Sequence, residues 1–126
     1  MTKKVVIVRE GSWGSITREE YDDWLSTFSG AVKNMEHKDY HTEKVEKIAD
    51  VVIVDTLEQA IKLLSERRVD ILFFISRGII QRAKEVKQKY PDVPMYLLTG
   101  LLPEDELIFL KKTWLGHDLI RDILLD

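Results

Sequence analysis

The chain has 126 residues, the length of one domain, and 44% of them are hydrophobic, enough for one continuous core spanning 1–126. It contains no cysteine, which excludes disulfides, thiolate metal sites and a cysteine nucleophile, and fits a reducing compartment. Charged residues make up 33% while the net charge is only −3, so the surface carries both signs and lacks the strong basic excess of nucleic-acid binders.

In chain order, MTKKVVIVREG offers a four-residue apolar run before Arg9, far short of a signal peptide or a membrane span, so a cytoplasmic chain is expected. Val5 to Val8 are all apolar and run into a Gly/Ser loop, the pattern of a strand buried on both faces. Thr17 and Glu20 form a capping-box signature, after which Tyr21, Trp24, Leu25, Phe28, Val32 and Met35 recur at helical spacing. Glu36 to Lys47 is polar and without periodicity, equally compatible with continued helix, a break or a loop. Val51 to Val54 predicts a second strand, and Asp55 an N-cap for a helix with the stripe Leu57, Ala60, Ile61 and Leu64.

The unit recurs as Ile71 to Ile75, then Ser76 as cap, then Ile79, Ile80, Ala83, Val86 and Tyr90 along a helix that stops before Pro91. Met95 to Leu98 predicts a fourth strand. After Thr99 and Gly100, the segment 107–112 fits a fifth strand or a helix, and Leu115, Leu119, Ile120, Ile123 and Leu124 form a last apolar stripe. Buried strands alternating with amphipathic helices imply βαβ crossovers, hence a doubly wound parallel sheet of about five strands with helices on both faces.

From Val51 onward the order of signals resembles a response-regulator receiver domain, a flavodoxin-like module that takes phosphate from a histidine kinase. The likeness rests on VVIVDTLEQAIKLLSERRVDILFFI, PDVPMYLLTG and FLKKTWLGHDLIRDIL. It implies Thr99 as the phosphate-sensing hydroxyl, Lys112 as the phosphate-pairing lysine and Phe109 at the aromatic switch position. It also implies an acceptor aspartate five residues after Asp70, where this chain has Ile75. An alkyl side chain forms no acyl phosphate. Where the family holds Mg²⁺ with an acidic pair, this chain has Arg9 and Glu10, and an arginine repels a hard divalent ion. The likeness further implies a shortened fourth helix between Thr99 and Lys112, and an extended segment after the first helix. The pattern is that of a degenerate, pseudo-receiver type.

Several residues carry candidate chemistry. Lys112 is positioned to pair with Glu10 in place of phosphate and metal, or to stand in solvent; Thr99 without phosphate reads as a strand-end residue bonding local backbone. Gly11, Ser12, Trp13, Gly14 and Ser15 form a loop leading to a helix N-terminus, a candidate anion or phosphate-ligand site or an ordinary turn, and they match no established phosphate-loop pattern. His37 and His41 would share a face if helical, but lack a metal-ligand signature, and no metal or cofactor is expected. Arg77, Arg82, Lys84, Lys87 and Lys89 read as a solvated helix face.

The expected function is a phosphorylation-independent signalling or protein-protein interaction module with an unidentified protein partner, with no positive support for an enzyme. The alternative is a flavodoxin-like protein that binds a phosphate-bearing small ligand at the loop after the first strand. A homodimer is expected through Leu101, Leu102, Leu107 and Phe109 with the last stripe, with Trp114 near its edge.

Overall fold

A computed structural model describes residues 2–11, 17–38, 40–75, 79–99, 111–114 and 124. Strand β1 (Lys3–Val8) is followed by helix α1 (Arg18–Lys33), a hairpin of β2 (Glu36–Lys38) and β3 (Val45–Lys47), and strand β4 (Ala49–Val54). Helix α2 (Leu57–Ser65), strand β5 (Ile71–Phe74), helix α3 (Ile80–Lys89), strand β6 (Met95–Thr99) and strand β7 (Lys111–Trp114) complete the order. The main sheet is parallel, in the order β4-β1-β5-β6, with β7 alongside β6 in parallel register, Leu97 opposite Lys112 and Thr99 opposite Trp114. This order is compatible with a flavodoxin-like fold.

Val5 to Val8 are almost fully buried because β1 lies between β4 and β5, with side chains alternating between two packed faces. Val6 and Val8 join Leu72, Phe74, Met95 and Leu97 under α2 and α3. Val5 and Ile7 join Ile71, Phe73 and Tyr96 under α1, with Leu124 in the same cluster. On the α1 face Trp24 stacks on Phe28 at 5.2 Å, Phe28 meets Phe73 edge-on at 6.5 Å, and Phe73 meets Tyr96 at 5.7 Å. Such offset pairs add about 0.5–1.5 kcal/mol beyond their buried area. Asp70 starts β5 by reciprocal bonding to β1: its N–H donates to the Lys4 carbonyl at 2.8 Å, and its Oδ2 accepts the Lys4 N–H at 2.7 Å.

Helix termini follow their capping residues. Thr17 caps α1, with its hydroxyl oxygen accepting the Glu20 N–H at 3.1 Å. The N-cap of α2 is Thr56 and not Asp55: Thr56 and Gln59 form a reciprocal capping box, and Gln59 Oε1 also takes the Asp55 N–H at 2.7 Å. The α2 C-terminus closes as a Schellman motif, with Arg67 N–H bonded to Leu64 O, Arg68 N–H to Leu63 O, and Arg67 at φ 57. Helix α3 begins after Ile79, which offers no side-chain cap, whereas the expected cap Ser76 lies outside the described residues. At its C-terminal end, Lys87 Nζ donates to the carbonyls of Pro91 at 3.1 Å and Val93 at 2.9 Å.

Two readings change here. The polar stretch after α1 is an antiparallel hairpin in which Glu36 opposes Lys47 and their side chains pair at 3.1 Å, so His37 and His41 share no helix face. The hairpin leaves and returns through buried Met35 and Ile48, joined by an Ile48 N–H to Met35 O bond of 3.1 Å. The second strand, an apolar run in sequence, is an edge strand, and Val52 (49%) and Ile53 (38%) are exposed. The segment read as a shortened fourth helix, and the apolar surface of Leu101, Leu102, Leu107, Phe109 and Leu119, lie outside the described residues.

Candidate functional site

Parallel strands bring their carboxyl ends to one edge, where α/β proteins place their chemistry. Arg9 and Glu10 follow β1 directly at that edge. The next element over β1 and β4 is the first turn of α2, whose leading N–H groups have no partner within the helix.

Glu10 meets that need. Its Oε2 accepts the N–H of Leu57, the first residue of α2, at 3.0 Å, and its Oε1 accepts Arg82 Nη1 from α3 at 2.9 Å. The Leu57 N–H, helped by Arg82 and opposed by partial burial, holds the Glu10 carboxyl below its usual 4.5. Arg82 also pairs with Glu58, in the first turn of α2.

Arg9 faces the other way. Its Nε and Nη2 both reach Asp55 Oδ1 at 2.6 Å, and its Nη1 reaches Asp22 Oδ1 at 3.2 Å. Arg18 pairs with the same Asp22 oxygen at 3.4 Å, one turn earlier on α1. The Tyr21 hydroxyl donates to the Arg9 carbonyl at 3.2 Å, and burial of the ring pushes the phenol above its usual 10.0. Two consecutive residues at the end of β1 thus tie the sheet to all three described helices.

Ile75 follows β5 at the same edge and is 2% exposed, in the cluster with Val5, Ile7 and Phe73. The Ile75 side chain offers no oxygen nucleophile. Each described carboxylate of the cluster, Asp22, Asp55, Glu10 and Glu58, is paired with an arginine. Among the described residues no group of three or more histidine and carboxylate side chains is arranged to hold a metal ion.

Glu10 is bound by Arg82 and Leu57, and Arg82 is a latch where a solvated helix face was expected. Lys112 is described only as the β7 residue opposite Leu97, and Thr99 as the last residue of β6. Gly11 is exposed at φ 104, a conformation that favours glycine, whereas Ser12, Trp13, Gly14, Ser15 and Phe109 lie outside the described residues. Asp22, Asp55 and Glu58 drew no functional reading from sequence.

The fold and this edge define a parallel α/β domain of flavodoxin-compatible order in which, among the described residues, Arg9 and Glu10 after β1 are held in ion pairs. No protein-family model matches the sequence, and no curated protein does. Among solved structures the chain is similar to a fragment from Peptoclostridium difficile 630 provisionally named a lipoprotein, with a TM-score of 0.63 and 12% identity, covering 99% of this chain and 100% of that one. At that identity the likeness speaks for the fold alone. Among the described residues no helix is long and apolar enough to cross a membrane.

Proposed function

We propose that this chain is a degenerate receiver-like domain, a cytoplasmic five-stranded flavodoxin-like module that signals by binding a protein partner without taking phosphate. The observation that carries this reading is the occupation of the strand-end edge. Glu10 has one carboxylate oxygen on the Leu57 N–H and the other on Arg82, Arg9 is held by Asp55 and Asp22, and apolar Ile75 is buried beside them. A receiver needs that edge open to phosphate and a divalent cation. Here the protein's own guanidinium and carboxylate groups pair with one another at that edge, which favours one surface over a phosphate-driven switch between two.

Incubation with acetyl phosphate and Mg²⁺, followed by intact-mass measurement and amide spectra, tests the reading. No added mass and no spectral change are expected. An acid-labile phosphate on any aspartate, Asp55 and Asp22 included, would overturn it.

A further inference from the structure

We propose that the tip of the β2–β3 hairpin is a processing site, where an endoprotease cuts the chain once and leaves two fragments that remain one folded domain. The site suits cleavage after a basic or an aromatic residue, whether or not the domain takes phosphate.

Exposure sets the hairpin apart. Every described residue from Glu36 to Lys47 is exposed, Tyr40 at 86% and Val45 at 56%. Strands β2 and β3 pair with each other, outside the main sheet, and contribute no residue to either core cluster. A two-stranded ribbon without a buried apolar face is marginally stable in water, so it opens locally at far less cost than the sheet. The Glu36–Lys47 ion pair is half-exposed and adds little. Near the tip Glu43 sits at φ 57, a left-handed conformation that a Cβ disfavours and that opening relieves. Exposed tips of this kind are the preferred sites of nicking. Lys38, Tyr40 and Lys44 place basic and aromatic residues, all exposed, on this one stretch. Hydrolysis after Lys44 takes up one water and leaves a carboxylate on Lys44 and an amine on Val45.

Such a cut parts β1 and α1 from the remaining elements along the chain but not in space. Strand β1 pairs with β4 from Lys3 to Val8 and with β5 from Val5 to Val8, so the leading fragment supplies a central strand. Val5 to Val8 are almost fully buried, and α1 buries Tyr21, Leu25 and Val32. The Ile48 N–H to Met35 O bond, the Arg9–Asp55 pair and the Glu10–Arg82 pair all cross between the two fragments. A cut at the tip breaks none of these. It removes only the effective concentration that a covalent link supplies, so the stability of the cut domain becomes dependent on its concentration.

Brief digestion of the intact chain with trypsin or chymotrypsin, read by mass spectrometry and native size exclusion, tests this. Trypsin should cut after Lys38 or Lys44 and chymotrypsin after Tyr40, with both fragments eluting together at the volume of the uncut chain. The Tm of the cut domain should fall on about tenfold dilution, and fall more than that of the uncut chain. Before digestion, amides of residues 40–47 should exchange about 100-fold faster than those of Val5 to Val8, or faster still. Fragments that separate on the native column at about 10 μM would overturn the proposal. So would a tip that stays uncut while the described strands and helices are digested, or hairpin amides as protected as those of β1.

Discussion

Glu10 does two things with one carboxylate: it satisfies the first N–H of α2 and neutralises Arg82. Its folded pKa is depressed, so its contribution is fully present above the unfolded value near 4.5 and is lost as pH falls through the folded value. Glu10→Gln should therefore cost about 1 kcal/mol at neutral pH, a modest figure because the side chain is partly solvated. The difference from wild type should shrink as pH falls below the unfolded value and through the depressed folded one, measured by urea unfolding at neutral and at acidic pH. An equal difference at both would mean that the carboxylate charge is not what α2 and Arg82 bind. The receiver resemblance singled out Glu10 and Arg9, because they stand where that family keeps an acidic pair after the first strand. Arg82 was read as part of a solvated helix face, because helical spacing fixes which residues of α3 are buried but not which strand end lies beneath the rim. Asp55 was misread where a signal existed: Thr56 with Gln59 three residues on is itself a capping box, which frees the neighbouring aspartate for Arg9.

Among the elements, the α2 terminus carries a removable cost. Arg67 adopts φ 57 to let Arg68 N–H reach Leu63 O, a conformation in which a Cβ is strained and glycine is not. Arg67→Gly should stabilise the domain by about 0.5–1 kcal/mol, less than the full strain because glycine also loosens the unfolded chain. Chemical denaturation at neutral pH measures it, and any loss of stability would show that the Arg67 side chain contributes more than its backbone costs. Helix positions were legible from capping residues and apolar stripes. The burial of β4 was not. Val51 to Val54 resembles Val5 to Val8 in composition, yet one strand lies inside the sheet and the other at its edge, a difference set by the order β4-β1-β5-β6. The hairpin gave no periodic signal because its described strand residues are exposed on both faces, so only the Glu36–Lys47 pairing marks its register.

At the scale of the molecule, the alternation of strands and helices was enough to infer a parallel sheet covered on both faces. The allocation of helices, α1 on one side and α2 with α3 on the other, required the observed strand order. The hairpin stands outside this scheme. Its neck is Met35 and Ile48, both in the core and bonded to each other, so every core contact of the α1–β4 connection is complete before the chain departs into β2. That makes residues 36–47 a cassette. Replacing 37–46 with a short glycine-containing turn should shift Tm by only a few degrees, since shortening an exposed loop changes closure entropy slowly with length. A thermal melt of the shortened chain checks this, and a collapse of Tm would mean that the hairpin braces the sheet. By the same geometry the tip beside exposed Tyr40 is a place where lineages of this fold could exchange, lengthen or lose whole segments without renegotiating the core, so recognition could diversify there while the sheet stayed fixed.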